Sequence, residues 1–265
     1  MYLEFFNLIE KPFNYLIPDP RYFFYSPQSQ SIKNQCDYIV SEKGGHLFIS
    51  GPIGAGKTTL LKTITQNLLA DDHNTVNFVN APNLKTANSL MRRVSEGFKV
   101  KTERSYDATL QNFTEWLKNT DRFPILIIDE GQNLVRDSLK TLHYLMTYVT
   151  DKLLMMIILC GQEEMVTRID RFPEIRSRMF PASLSSLSRE EAEEMMRFRW
   201  TVAGGKDFPF DKQAIAEVYR LTGGIARDIC KLANESLLRT MVEKRNTVDK
   251  DIVLAAAADA FAETR

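Results

Sequence analysis

The fold class the sequence predicts is α/β: a doubly wound parallel sheet carrying a phosphate-binding loop, followed by a smaller all-α part. Three observations predict it. Short strand-like runs at 47–50, 76–79, 124–128 and 153–160, the last two apolar throughout, alternate with stretches whose apolar residues recur every three or four positions. Strands apolar along their whole length are those covered by helices on both faces, as in parallel sheets. The first run leads directly into Gly51-Pro-Ile-Gly-Ala-Gly-Lys57-Thr58, which fits GxxxxGK[ST]. From Arg189 onward only helical spacing remains, which puts a boundary near Leu187, inside Ser185-Ser-Leu-Ser188. The segments expected are an arm and helix over 1–43, a core over 44–187 and a helical domain over 188–265.

Each element follows from its own signal. Residues 1–25 hold Phe5, Phe6, Pro12, Phe13, Tyr15, Pro18, Pro20, Tyr22, Phe23, Phe24 and Tyr25, too many aromatics for a free tail, and they read as an extended arm packed on something. Ser26-Pro27 then supplies an N-cap and a first-turn proline, and Ile32, Cys36, Ile39 and Val40 mark a helix that stops at Gly44-Gly45. After the glycine loop, Leu60, Leu61, Ile64 and Leu68 share one helical face, and 76–79 is the next strand. Two helices follow, one with Leu90, Met91, Val94 and Phe98, the other with Leu110, Phe113 and Leu117. The run Pro124-Ile-Leu-Ile-Ile-Asp-Glu130 is a strand ending in two acids, followed by a helix with Leu139, Leu142, Met146 and Val149. A further strand over 153–160 stops at Gly161. Beyond the boundary, helices are expected over 192–200, 214–221, 225–241 and 251–261.

Composition narrows the class of protein. With 44% hydrophobic and 26% charged residues, the 265-residue chain can build an ordinary core, which argues against disorder. Lys+Arg and Asp+Glu are both 34, so an anionic partner would have to be met by a local patch. Cys36, Cys160 and Cys230 are odd in number and widely spaced, which supports neither a disulfide framework nor a zinc site and fits a reducing cytoplasm. No apolar stretch approaches the roughly 18 residues of a spanning helix. The start of the chain, with Glu4 and Glu10, lacks the basic and apolar regions of a signal peptide.

The chemistry lies in the loop and the strand ends. Gly51, Pro52, Ile53, Gly54, Ala55 and Gly56 let the backbone curl so that successive N–H groups face phosphate oxygens, at the positive end of the helix that follows. Lys57 would reach the β- and γ-phosphates and Thr58 would ligate Mg²⁺, with Thr59 next in the loop; the expected ligands are ATP and Mg²⁺. Asp129 ends a buried strand and is the second candidate for the metal, held through its water shell. Glu130, one residue on, is placed to orient and deprotonate an attacking water, which favours hydrolysis.

Gln162 follows the next apolar run and either touches the γ-phosphate or the water, or is a plain turn residue. Arg176 and Arg178 precede the next expected strand. They are either salt-bridged surface residues or a source of positive charge for a transferring phosphoryl group, worth on the order of 10³-fold when a neighbouring subunit supplies it. Gly223-Gly-Ile-Ala-Arg227 opens a helix, and Arg227 either reaches back to the phosphates or is only exposed. His46, His73 and His143 stand apart from one another and read as structural or exposed, and the pairs Met155-Met156 and Met195-Met196 as core filler.

Taken together, Met1-Tyr-Leu-Glu-Phe-Phe-Asn-Leu-Ile-Glu-Lys-Pro-Phe13, Pro18-Asp-Pro20, GPIGAGKTT, LIIDEGQNL, LCGQEE, EIRSRM and TGGIARDI resemble the ExeA/GspA family of AAA+ ATPases over nearly the whole chain. The resemblance implies an AAA+ core with an α-helical lid, an arm near the adenine, and assembly into a homo-oligomeric ring or filament. By the family's pattern Gln162 falls at sensor 1, Arg178 at the arginine finger with Arg176 second, and Arg227 at sensor 2. Two positions depart from it: Ala226 stands where proline usually precedes the sensor 2 arginine, so that helix start is less rigidly preset, and Glu163 stands where proline often follows the sensor 1 glutamine. The longer secretion members continue into a membrane helix and a periplasmic region, so the chain looks like a free-standing motor domain similar to the short pilus-assembly relatives.

Two functions from different classes follow. One is a cytoplasmic ATPase, peripheral at the inner membrane through a membrane-anchored partner, that assists assembly of a secretion or type IV pilus-like machine. The other is a DNA-binding ATP switch of the transposition-helper kind, for which Arg227, Lys231, Arg239, Lys244 and Arg245 would form a basic face interrupted by Glu235 and Glu243.

Overall fold

The computed structural model describes residues 2–81, 84–148 and 152–261. Two compact units emerge. One holds residues 27–52 and 60–184, the other residues 1–26, 53–59 and 185–265.

In the first unit the described residues form a five-stranded sheet of β1 (His46–Ser50), β2 (Asn74–Asn80), β3 (Phe123–Asp129), β4 (Met156–Gly161) and β5 (Met179–Ser183), in the order β2-β3-β4-β1-β5. Every pairing is parallel. β1, β3 and β4 are buried at every residue, as their unbroken apolar runs require. β4 begins at Met156, opposite Ile125, three residues later than the apolar run suggests; Met155 before it is buried outside the ladder. β5 lies at the edge and accommodates Pro181, whose missing N–H an outer strand tolerates. Helices Pro27–Glu42, Ala87–Gly97, Tyr106–Asn119 and Arg136–Thr147 belong to this unit. Thr86 and Ser89 cap one of these reciprocally, and Ser105 caps the next through the N–H of Ala108. Val149, placed on the face of the last with Leu139, Leu142 and Met146, lies outside the described residues.

His46 starts β1 and is buried. Its Nδ1 accepts the Ile157 N–H at 3.1 Å, so the ring proton sits on Nε2, which serves the Met146 carbonyl. Burial therefore pushes the imidazole down to about 4, because a charge there would lose its hydration. An unfolded chain binds a proton at His46 below roughly pH 6.5 while the folded chain does not. Stability thus falls as the pH drops from there towards 4, by about 3 kcal/mol from this residue. Urea midpoints of the parent and His46→Gln compared across that window check this: the parent should lose more on acidification, and equal slopes would remove His46 as the cause.

The second unit is helical, with Arg189–Val202, Lys212–Thr222, Ala226–Val242 and Lys250–Ala260 around an apolar cluster that includes Trp200, Leu232 and Leu237. Ser188 and Glu191 form a capping box at its first helix, Asp211 and Asp249 cap two others, and Gly223 in the left-handed region ends one. The aromatic arm packs here: Tyr2, Leu8, Phe13 and Tyr22 are part of the cluster. Arg199 fixes its path by donating to the carbonyls of Pro12 at 2.8 Å, Asn14 at 2.9 Å and Tyr22 at 3.1 Å. Among the described residues no helix is long and apolar enough to cross a membrane.

Candidate functional site

Parallel strands deliver all their C-terminal ends to one edge of the sheet, where ligands of open α/β sheets bind. The pairing Ser50↔Gly161 brings the ends of β1 and β4 side by side, and Ile128↔Leu159 adds that of β3. Gly51, Asp129, Glu130 and Gln162 therefore gather at this edge. Gly51 lies so close to the backbone of Leu184, whose N–H donates to the Ser50 carbonyl at 2.8 Å, that any Cβ would collide with it. Asp129 is buried, with Oδ1 accepting the Glu130 N–H at 2.9 Å. A carboxylate held this far from bulk water is a ready ligand for a hard cation.

Glu130 takes φ 56° and ψ 39°, left-handed values that cost a non-glycine residue about 1 kcal/mol or more. The bend turns the chain into a short 3-10 turn, Gly131–Asn133. Gln132 on that turn donates from Nε2 to Oε2 of Glu130, and its Oε1 accepts the Gln162 N–H at 3.2 Å. Arg168 donates to the carbonyls of Gln132 and Leu134. Gln132 and Arg168 escaped the sequence reading. An amide two residues beyond Glu130 was a faint signal for the first, and nothing in the pattern marks an arginine 36 residues further on.

The arginine pair divides. Arg176 is exposed and paired with Asp170 at 3.2 Å. Arg178 stands just before β5, at the edge opposite the Gly51 end, since Met179 pairs with His46 at the start of β1. It borders a cavity of about 440 Å³ with Lys43, His46, Met146 and Phe180. Its guanidinium has no hydrogen bond or ion pair among the described residues.

Residues 53–59 of the loop lie in the helical unit. Gly54 and Gly56 have φ of +83° and +98°, the freedom a loop needs to turn successive amides inward. A Cβ on Gly54 would fall 2.8 Å from Ile225 and 3.1 Å from Arg227, and the Gly54 carbonyl accepts the Arg227 N–H at 3.0 Å. The start of helix Ala226–Val242 is thus bound to the loop, with Arg227 on its first turn. Phe23 of the arm, edge-on to Tyr25 at 5.0 Å, lies 3.7 Å from where a Cβ on Gly56 would fall. Ala55 and Lys57 are buried, and Lys57 opens helix Lys57–Leu69 with Thr58 and Thr59 behind it. Two left-handed glycines, a helix start, a lysine and a threonine hydroxyl form a donor set that suits phosphate and Mg²⁺.

Of the basic residues in the helical unit, Arg239 is paired with Glu243 and Asp259, Arg245 with Asp249, and Lys231 lies over the Phe261 ring at 5.6 Å. Two of the five residues expected of a basic face, Arg239 and Arg245, are therefore already matched by acids.

Residues 40–169 match the family model described as AAA domain. General secretion pathway protein A of Aeromonas hydrophila is 28% identical over 269 residues, covering 97% of this chain. The chain spans about half of that relative, 48% of its length. Among solved structures, Cdc6p from Pyrobaculum aerophilum superimposes with a TM-score of 0.76 at 14% identity, over 96% of this chain and 72% of that one. The Aeropyrum pernix ORC1 protein in complex with DNA gives 0.73 at 16% identity, over 94% and 69%. At these identities the structural likeness speaks for the fold.

Proposed function

We propose that this chain, AAA+ in fold and GspA-like in sequence, binds ATP with Mg²⁺, hydrolyses it, and works as a homo-oligomer assisting a secretion or type IV pilus-like machine through a membrane-anchored partner. The observation that carries the reading is the loop itself. A fully buried strand ends at Ser50, two left-handed glycines follow, and a helix opens at Lys57. In this reading Gly51 to Gly56 and Thr59 cradle the phosphates, Lys57 neutralises them, and Thr58 and Asp129 hold the metal. Bound Mg²⁺ would neutralise charge developing on the phosphates. Glu130 takes the proton of the attacking water, with Gln162 beside it, and Arg227 contacts the phosphates.

Arg178 is the finger and acts on the neighbouring copy. What supports this is its place at the sheet edge opposite Gly51, together with a guanidinium that no acid occupies among the described residues, whereas Arg176 is engaged by Asp170.

The experiment is ATP turnover with and without duplex DNA at moderate salt. The secretion reading expects turnover that DNA leaves unchanged. Strong stimulation by DNA that fades steeply as salt rises would overturn it in favour of the DNA-binding switch.

A further inference from the structure

Gln132 uses both ends of its amide, and the network fixes which end is which. The Gln162 N–H can only donate, so the oxygen of Gln132 faces it and the NH₂ is left for the Glu130 carboxylate, which can only accept when ionised. The seat is tight: a Cβ on Gly161 would fall 3.1 Å from that Oε1 and 3.0 Å from Met165. The turn bearing Gln132 is itself held, because Arg168 donates to the Gln132 carbonyl within it and to the Leu134 carbonyl just after it. Without such fixing, a carboxylate on a left-handed residue at a strand end would swing over several rotamers.

We infer that Gln132 is a positioning residue that sets the Glu130 carboxylate against the tip of β4, with Arg168 locking the turn that carries it. The inference rests on the proposed role of Glu130 in hydrolysis. Its consequence is that a displacement of Gln162 is transmitted through one amide to Glu130, so that the two strand ends act together. Misplacement of a reacting group by about 1 Å costs on the order of 10²-fold in rate while leaving substrate binding alone.

The test compares Gln132→Leu and Gln132→Glu with the parent. Leucine removes both bonds; glutamate still accepts from Gln162 but cannot donate to Glu130. Both should lower kcat by about 10- to 100-fold with KM and the affinity for a fluorescent ATP analogue unchanged. Amide hydrogen exchange of the nucleotide-free chain, a readout independent of turnover, should show Gln162 deprotected in Gln132→Leu and still protected in Gln132→Glu. A Gln132 that merely held the turn would leave Gln132→Glu at parental kcat, and that result overturns the inference. So does simple multiplication of the losses in the double variant Glu130→Gln/Gln132→Leu, because a residue acting through Glu130 has nothing further to remove. Should Gln132→Leu fail to fold, Arg168→Lys tests the lock with the same expectation for kcat and KM, and parental kcat there would overturn it. The two ideas separate cleanly. A Glu130→Gln chain with parental turnover sinks the role of Glu130 first; an inactive Glu130→Gln beside fully active Gln132 variants sinks only the role of Gln132.

Discussion

Glu130→Gln leaves ATP bound and unhydrolysed, with kcat down on the order of 10²- to 10⁴-fold, the range a general base contributes. The amide is nearly isosteric, so the left-handed backbone, the Gln132 contact and the Asp129 bond to the Glu130 N–H all have room to persist. Only the capacity to take a proton is lost. Binding of a fluorescent ATP analogue should therefore match the parent, and nucleotide-dependent assemblies should outlive those of the parent in size-exclusion chromatography because their ATP is not consumed. Near-normal turnover would remove Glu130 from its role, and the Gln162 side chain would become the next candidate to order the water.

Arg178→Ala should abolish hydrolysis by on the order of 10³-fold or more while ATP binding survives. The geometry makes the prediction directional. Arg178 precedes β5 at the edge where β1 begins, whereas Gly51 follows the other end of β1, so a contact with phosphates held at Gly51 has to be made on another copy. Mixing Arg178→Ala with Lys57→Ala should restore part of the turnover: one chain keeps an intact loop and the other an intact finger. If mixing restores nothing, action between copies is wrong. Arg176→Ala is the control and should cost no more than a few-fold, since its partner Asp170 already engages it in an exposed pair of the kind worth under about 1 kcal/mol.

The three strands that end at this edge were legible because β1, β3 and β4 are buried at every residue and read as apolar runs leading to Gly51, Asp129 and Gly161, whereas their order across the sheet was not. Where apolar residues sit outside the ladder, as at Met155, the same signal placed the start of β4 too early. The aromatics of residues 1–25 revealed that the arm is packed, yet not against what. That depends on Arg199, 187 residues from Pro12, whose three donors meet three backbone carbonyls that carry no sequence identity. The Gln132 bridge was hidden for a related reason: it exists only because Glu130 adopts a left-handed backbone, and glutamate gives no local hint of that conformation.

A sheet that places Ser50 at one edge and Arg178 at the other has a direction. If each copy receives at the first edge and gives at the second, copies join head to tail, and such contacts either close into a circle or leave two unlike ends. In an open chain the terminal copy has a complete loop and no donor, so its nucleotide persists. An open assembly would then carry a built-in marker of its own end, activity per copy would climb with length, and closure would erase the difference.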